Sequence, residues 1–128
     1  MGTRYLIDSN SVIYYLEGSL PVLGMSFMDD VINDIPNISI VTKIEVLGFK
    51  MSKQDARLMG DFVDAANVIG LTDAIADKTI ELRKNQKIKL PDAVIAATAL
   101  FHGLVLISRN LSDFKRIADL KVISPHDM

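Results

Sequence analysis

Acidic side chains stand in this chain where short apolar runs end, and that placement is the first sign of chemistry. Asp8 directly follows Tyr5-Leu6-Ile7. Asn110 and Asp113 come just after Leu104-Val105-Leu106-Ile107, Glu45 lies a few residues beyond Ile38-Ser39-Ile40, and Asp92 follows Lys89-Leu90-Pro91. Carboxylates gathered in one cleft cannot all stay ionised unaided: two of them about 4 Å apart repel by roughly 4 kcal/mol at an effective dielectric of about 20. Such a cleft either holds protons at raised pKa or takes up a cation. The chain has no cysteine. Of its two histidines, His102 reads as a helix-end dipole partner beside Gly103, and His126 lies in the C-terminal tail. The available donors are therefore oxygens, which suit Mg²⁺ or Mn²⁺ over zinc. An ion held this way lowers the pKa of bound water and neutralises charge growing on a phosphoryl oxygen, and two ions can serve the attacking and leaving oxygens together. The sequence leaves the number at one or two.

Each acid taken singly has a plainer reading. Asp8 can cap the next helix, Glu45 can close a T-x-x-E capping box opened by Thr42, Asp92 can face a helix dipole, and Asp113 can be a solvated helix-start acid. The set points to a site only if the fold brings its members to one edge.

The elements that must do so are legible from apolar spacing. Strands are expected at 5–7, 38–40, 67–69 and 104–107, with a last edge strand at 122–123. Helices are expected at 10–17, stopped by Gly18; at 24–35, ended by Pro36; from a Thr42 cap to about Phe49; at 52–66; at 72–85; from Lys89-Leu90-Pro91-Asp92 to His102-Gly103; and at 112–118. Strands alternating with helices imply an α/β fold with a parallel sheet covered on both faces. Chemistry in such sheets sits at the carboxyl ends of the strands, near the point where strand order reverses. That rule puts Asp8, Glu45, Asn110 and Asp113 on one edge and constrains Asp92 least.

At 128 residues, residues 1–128 are expected to form a single domain with one core. Hydrophobic residues at 49% and charged residues at 23% are ordinary globular proportions. The N-terminal MGTRYLIDSN does not read as a signal peptide, and no apolar stretch approaches the roughly 20 residues of a membrane span. A soluble, cytoplasmic protein with no membrane partner is expected. The net charge of −2 excludes nucleic-acid binding by bulk charge, so any such binding must use local basic patches, metals or a second subunit.

Five stretches, LIDSNSVIYYLEG, VTKIEVLGF, LPDAVIAATAL, LISRNLSDF and KVISP, together resemble the PIN domain, and within it the VapC-type toxins of bacterial toxin–antitoxin pairs. The likeness spans nearly the whole chain. It implies a three-layer fold with a central parallel sheet of four or five short strands flanked by helices, and a Mg²⁺- or Mn²⁺-dependent endoribonuclease. Asp8, Glu45 and Asp92 match the family's three central acids. Ser9 or Asn10 matches the small polar position that hydrogen-bonds a metal-holding carboxylate. Asn110 stands where many members carry Asp, which gives the fourth acidic place to Asp113 with Asn110 as its orienting partner. The likeness also implies a homodimer and a small antitoxin inserted near the cleft, for which the helix from Met25 to Ile35 offers a candidate face. Lys43, Arg109, Lys87 and Lys89 are candidate RNA contacts, Lys84 extends the Lys87/Lys89 cluster, and Tyr14 and Tyr15 are candidates to stack a base.

Three rivals share some of this pattern. A receiver-like phosphoacceptor signalling module wants an acidic pair after the first strand and a late lysine, whereas Asp8 stands alone and the late strand ends carry Arg109 and Ser124. A haloacid-dehalogenase-like phosphatase wants a second Asp at the position of Asn10. A PIN-like RNA-binding module that does not cleave has no need of Asp8, Glu45 and Asp92 together.

Overall fold

Strands β1 (Tyr5–Ile7), β2 (Asn37–Ser39), β3 (Asn67–Ile69), β4 (Val105–Ile107) and β5 (Val122–Ile123) lie side by side in the order β3-β2-β1-β4-β5, and every pairing is parallel. The computed structural model describes residues 4–128. Residues 1–3, part of the stretch read as lacking a signal peptide, lie outside the described residues. Helices α1 (Ser9–Glu17), α2 (Val22–Asn33), α3 (Ile40–Gly48), α4 (Lys53–Ala65), α5 (Asp73–Asn85), α6 (Leu90–His102) and α7 (Leu111–Phe114) flank the sheet, and a 3₁₀ turn covers Pro125–Asp127. No helix among the described residues is long and apolar enough to cross a membrane.

The pleat of the short strands creates the three layers. Leu6 pairs with Leu106 and Ile7 with Ile107. The two leucines join a core with Ile75, Leu82, Ala96 and Phe114. The two isoleucines join another with Val12, Met28, Ile38, Val46 and Phe62. Burying each such side chain contributes about 1.5–3 kcal/mol. A one-residue slip of β1 would exchange the two faces and lose that fit. On α6, Ala93, Ala96, Ala97 and Ala99 are fully buried, so small side chains bring this helix close to the sheet.

At the amino ends of the strands, two asparagines hold the register. Asn37 Nδ2 donates to the Tyr5 carbonyl at 2.9 Å, and Asn67 Nδ2 donates to Asn37 Oδ1 at 2.8 Å. This amide chain crosses β1, β2 and β3.

Several boundaries differ from the sequence expectation. Residue 40 opens α3 instead of ending β2, because Ser39 caps the helix by accepting from the Val41 N–H at 3.1 Å. Thr42 is not the cap: it is fully buried one turn further on, and Glu45 takes no part in a capping box. The helix expected over 112–118 is the single turn α7. Phe114 and Ile117 then bury in the core, and Asp119, at φ 67°, turns the chain into the left-handed region. The α2 stripe also faces inward. Met28 and Val31 are buried, and Met25, Phe27 and Ile32 pack against the core, which leaves Val22 and Leu23 as its exposed apolar residues, with Ile35 exposed just past its end.

Candidate active site

The reversal of strand order falls at β1. One crossover leads from it to β2, and the chain later returns to place β4 on its other side. Asp8 is the first residue past the carboxyl end of β1 and so stands at the crevice where such sheets bind ligands. It also caps α1, accepting from the Ser11 N–H at 2.9 Å. The cap expected of Asp8 is thus present, and it leaves the side chain on the wall of the crevice.

Asp8, Ser9, Asn10, Glu45 and Asp92 line one cavity of about 500 Å³, together with apolar walls from Ile13, Ile44 and Ile95. They arrive from α1, α3 and α6, three elements far apart in sequence. A larger groove, of about 1050 Å³, opens at the opposite edge beside Arg4, Tyr5 and Asn37, and none of the candidate acids reaches it.

Within the cavity Asp8 is nearly inaccessible, at 7% exposure. Burial pushes its carboxyl above the usual range, hydrogen bonds from Ser108 and Ser11 act in the other direction, and the negative charge of Glu45 adds to the rise. Asp92 is half-buried. Its carboxyl is also raised, first by burial and then by the charges of Asp8, Glu45 and Asp113, with Lys89 opposing. The Ser9 hydroxyl donates to Glu45 Oε1 at 2.6 Å and lies 3.2 Å from Thr42 Oγ1, which places the exposed Glu45 carboxylate over the cavity. Ser108 Oγ accepts the Asn110 N–H at 3.0 Å, and Asn110 Nδ2 donates to Asp113 Oδ2 at 2.9 Å. A polar chain therefore runs from Ser108, the last residue before Arg109, through Asn110 to Asp113.

Not every candidate is gathered equally. Asp113 does not line the cavity, although its charge reaches Asp92, and Arg116 sits 3.6 Å from its other oxygen. Asn10 lines the cavity with its side chain exposed. Of the basic residues, Lys89 acts on Asp92 and Arg109 follows Ser108 off β4, whereas Lys43 and Lys87 are exposed and outside the cavity wall. Sequence reading passed over Ser108 and Ser11 and took Thr42 for a helix cap. Ser108 carried the same signal as Asp8, a polar residue directly after a buried strand.

Among the described residues no three Asp, Glu, His or Cys side chains close on one point as a ready-made ion cage. Mg²⁺ does not require one, because it keeps several waters and uses one or two carboxylates. An all-oxygen donor set, with negative charge concentrated on two carboxyls of raised pKa, fits such an ion.

The PIN domain family model matches residues 5–120. The chain belongs to the PIN-domain family. Solved structures share the fold over nearly the full length of both chains. A chain of a toxin–antitoxin complex from Klebsiella pneumoniae is 31% identical, with 94% of this chain and 97% of that one covered and a TM-score of 0.75. VapBC2 from Rickettsia felis, bound to a DNA fragment from its promoter, is 20% identical, with 95% and 98% covered and a TM-score of 0.80. DNA-bound VapBC from Salmonella typhimurium is 21% identical, with 97% and 99% covered and a TM-score of 0.80. No curated protein matches the chain. Membership of the PIN family sets the receiver-like alternative aside. The strand order agrees, since receivers follow 2-1-3-4-5 and this sheet does not.

Proposed function

We propose that this PIN domain, a single domain over residues 1–128, is a divalent-metal-dependent endoribonuclease that hydrolyses RNA phosphodiester bonds. Its proposed setting is the cytoplasm, as the toxin of a VapBC-type pair, working as a homodimer silenced by a small antitoxin. The observation that carries the activity is the meeting of Asp8, Glu45 and Asp92 in one cavity at the strand-order reversal, where burial and mutual repulsion raise the carboxyls of Asp8 and Asp92. The toxin role is supported by the likeness to the Klebsiella pneumoniae complex and by the fold shared with VapBC structures.

Asp8 and Asp92 would hold the principal Mg²⁺ or Mn²⁺, with Glu45 holding it directly or through water, and Asp113 would serve a second ion. A divalent ion bound there lowers the pKa of bound water and neutralises charge developing on a phosphoryl oxygen. The chain's own groups do the rest. The Ser11 N–H fixes the Asp8 carboxylate, Ser9 fixes that of Glu45, and Asn110 orients Asp113. Ile13, Ile44 and Ile95 give the cavity an apolar wall beside the acids. Arg109 and Lys89, with Lys43 and Lys87 further out, meet the RNA backbone.

The test is cleavage of single-stranded RNA by the purified protein. Activity should stop in EDTA, return with Mg²⁺ or Mn²⁺, and be absent from Asp8→Asn. Undiminished cleavage by a folded Asp8→Asn protein refutes the assignment, and RNA binding without cleavage by the wild type favours the non-cleaving module.

A further inference from the structure

The acid-bearing edge of the sheet also carries Arg109 and His126, which rest on Tyr14, a ring that itself packs against the core. Arg109 is exposed, and its guanidinium lies over the Tyr14 ring, 5.6 Å from the centroid. The same ring meets His126 edge-on, with centroids 4.8 Å apart and planes at 84°. Arg109 enters no salt bridge among the described residues, although Asp8 is close enough to act on its neighbour His126. His126 Nδ1 is buried without a hydrogen-bond partner. Two nitrogen-bearing side chains are thus held against one aromatic ring at the margin of the acidic cleft, and folding leaves their polar capacity unspent.

The placement of His126 depends on a close backbone approach. Beyond β5, Ser124 and Pro125 are buried, and the 3₁₀ turn packs on α2 at Gly24. A Cβ at Gly24 would lie 2.1 Å from the Pro125 carbonyl oxygen and 3.0 Å from its carbon. Only glycine lets the turn seat deeply enough to bring His126 to Tyr14.

A cation resting on an aromatic face keeps its N–H edge available, and the Nε2 edge of an adjacent imidazole, whose Nδ1 is buried, adds a second donor. This is the chemistry that grips a phosphodiester, while the strand beyond it can stack or remain solvated. We propose that Arg109, Tyr14 and His126 form a phosphate subsite for single-stranded RNA beside the acidic cleft, completed by the C-terminal turn and seated by Gly24. The phosphate bound there is a neighbour of the one that is cut. This inference rests on the ribonuclease reading and adds to it the residues that hold the strand.

The experiment is equilibrium binding of a short fluorescein-labelled single-stranded RNA in EDTA, where cleavage is stopped, across a range of salt concentrations. Arg109→Gln and His126→Ala should each weaken binding about tenfold. Arg109→Gln should also flatten the dependence of log K on log salt by about 0.7, the counterion release of one phosphate contact on a single strand, and Arg109→Lys should restore that slope. Gly24→Ala should weaken binding as His126→Ala does. Should Gly24→Ala fail to fold, the exposed Arg109 variants still decide the matter. Unchanged affinity in Arg109→Gln and His126→Ala, or weakened affinity in Arg109→Gln with an unchanged salt slope, overturns the subsite while wild-type cleavage keeps the nuclease reading intact. A wild type that neither binds nor cleaves RNA overturns both.

Discussion

Ser9 and Glu45, from helices α1 and α3, are joined by a 2.6 Å hydrogen bond across the cavity that Asp8 and Asp92 share. The bond turns an exposed, flexible carboxylate into a positioned one. Thr42, buried beneath it, backs the same serine at 3.2 Å. Removing the hydroxyl with Ser9→Ala should leave the fold intact and weaken the apparent affinity for activating Mg²⁺ or Mn²⁺ by about 10- to 100-fold, the usual cost of losing a ligand's orienting partner. Metal titrations of RNA cleavage check this, and an unchanged half-saturation point would detach Glu45 from metal binding.

Asp8→Asn separates repulsion from capping. Asparagine caps a helix about as well as aspartate, so the bond from the Ser11 N–H should survive. The buried charge does not. At neutral pH and without metal, the thermal midpoint should rise by about 3 °C or more, while cleavage disappears. A large fall in the midpoint would assign Asp8 to the scaffold alone.

The pH dependence has a definite sign. Asp8 and Asp92 both have carboxyls raised above their ordinary value of 3.8 in the folded protein. The folded state therefore holds these protons more tightly than the unfolded chain does. The resulting stability is complete below the unfolded value and is lost as pH rises through the raised folded values. In EDTA, the stability advantage of Asp8→Asn over wild type should grow as pH climbs through the acid range towards neutrality. Urea unfolding at several pH values measures it, and an advantage constant with pH would contradict the raised carboxyl.

Metal should reverse the balance. An ion that binds only the folded site stabilises by about 2.7 kcal/mol at a concentration one hundred times its Kd. Adding Mg²⁺ to the wild type should raise the thermal midpoint and flatten its pH dependence, and the effect should be largely missing from Asp8→Asn. Equal shifts in both proteins would place the ion elsewhere.

Two glycines offer a contrast in backbone and space. Gly24→Ala forces a methyl against the Pro125 carbonyl and should cost about 1–3 kcal/mol. At Gly60, within α4, a methyl would meet nothing within 4 Å, so Gly60→Ala should stabilise by about 0.5–1 kcal/mol. Denaturant midpoints distinguish the two, and a neutral Gly24→Ala would show that the C-terminal turn is free to move.

The sheet and its acidic edge were legible because short buried runs and the polar residues that end them leave local signals. Asp8 after Ile7 and Asn110 after Ile107 could be placed without a structure. What the chain did not disclose depends on packing between distant segments. Thr42 looked like a cap because a threonine three residues before a glutamate has that form, yet burial against Ser9 recruits it and leaves the capping to Ser39. The turn at 125–127 carries no periodicity to read, so His126 passed for tail. The separation of Asp113 from the cavity wall follows from α7 being one turn long, and helix length is what Phe114 and Ile117 decide by burying together.

The amide chain through Tyr5, Asn37 and Asn67 gives the sheet's two rims opposite mechanical duties. One rim is clamped by neutral dipoles that need no ion and feel little from pH, so the other can carry like charges in close quarters without prising the strands apart. Grafting the acids onto another parallel sheet without such a clamp would produce a scaffold that loosens whenever its cation leaves.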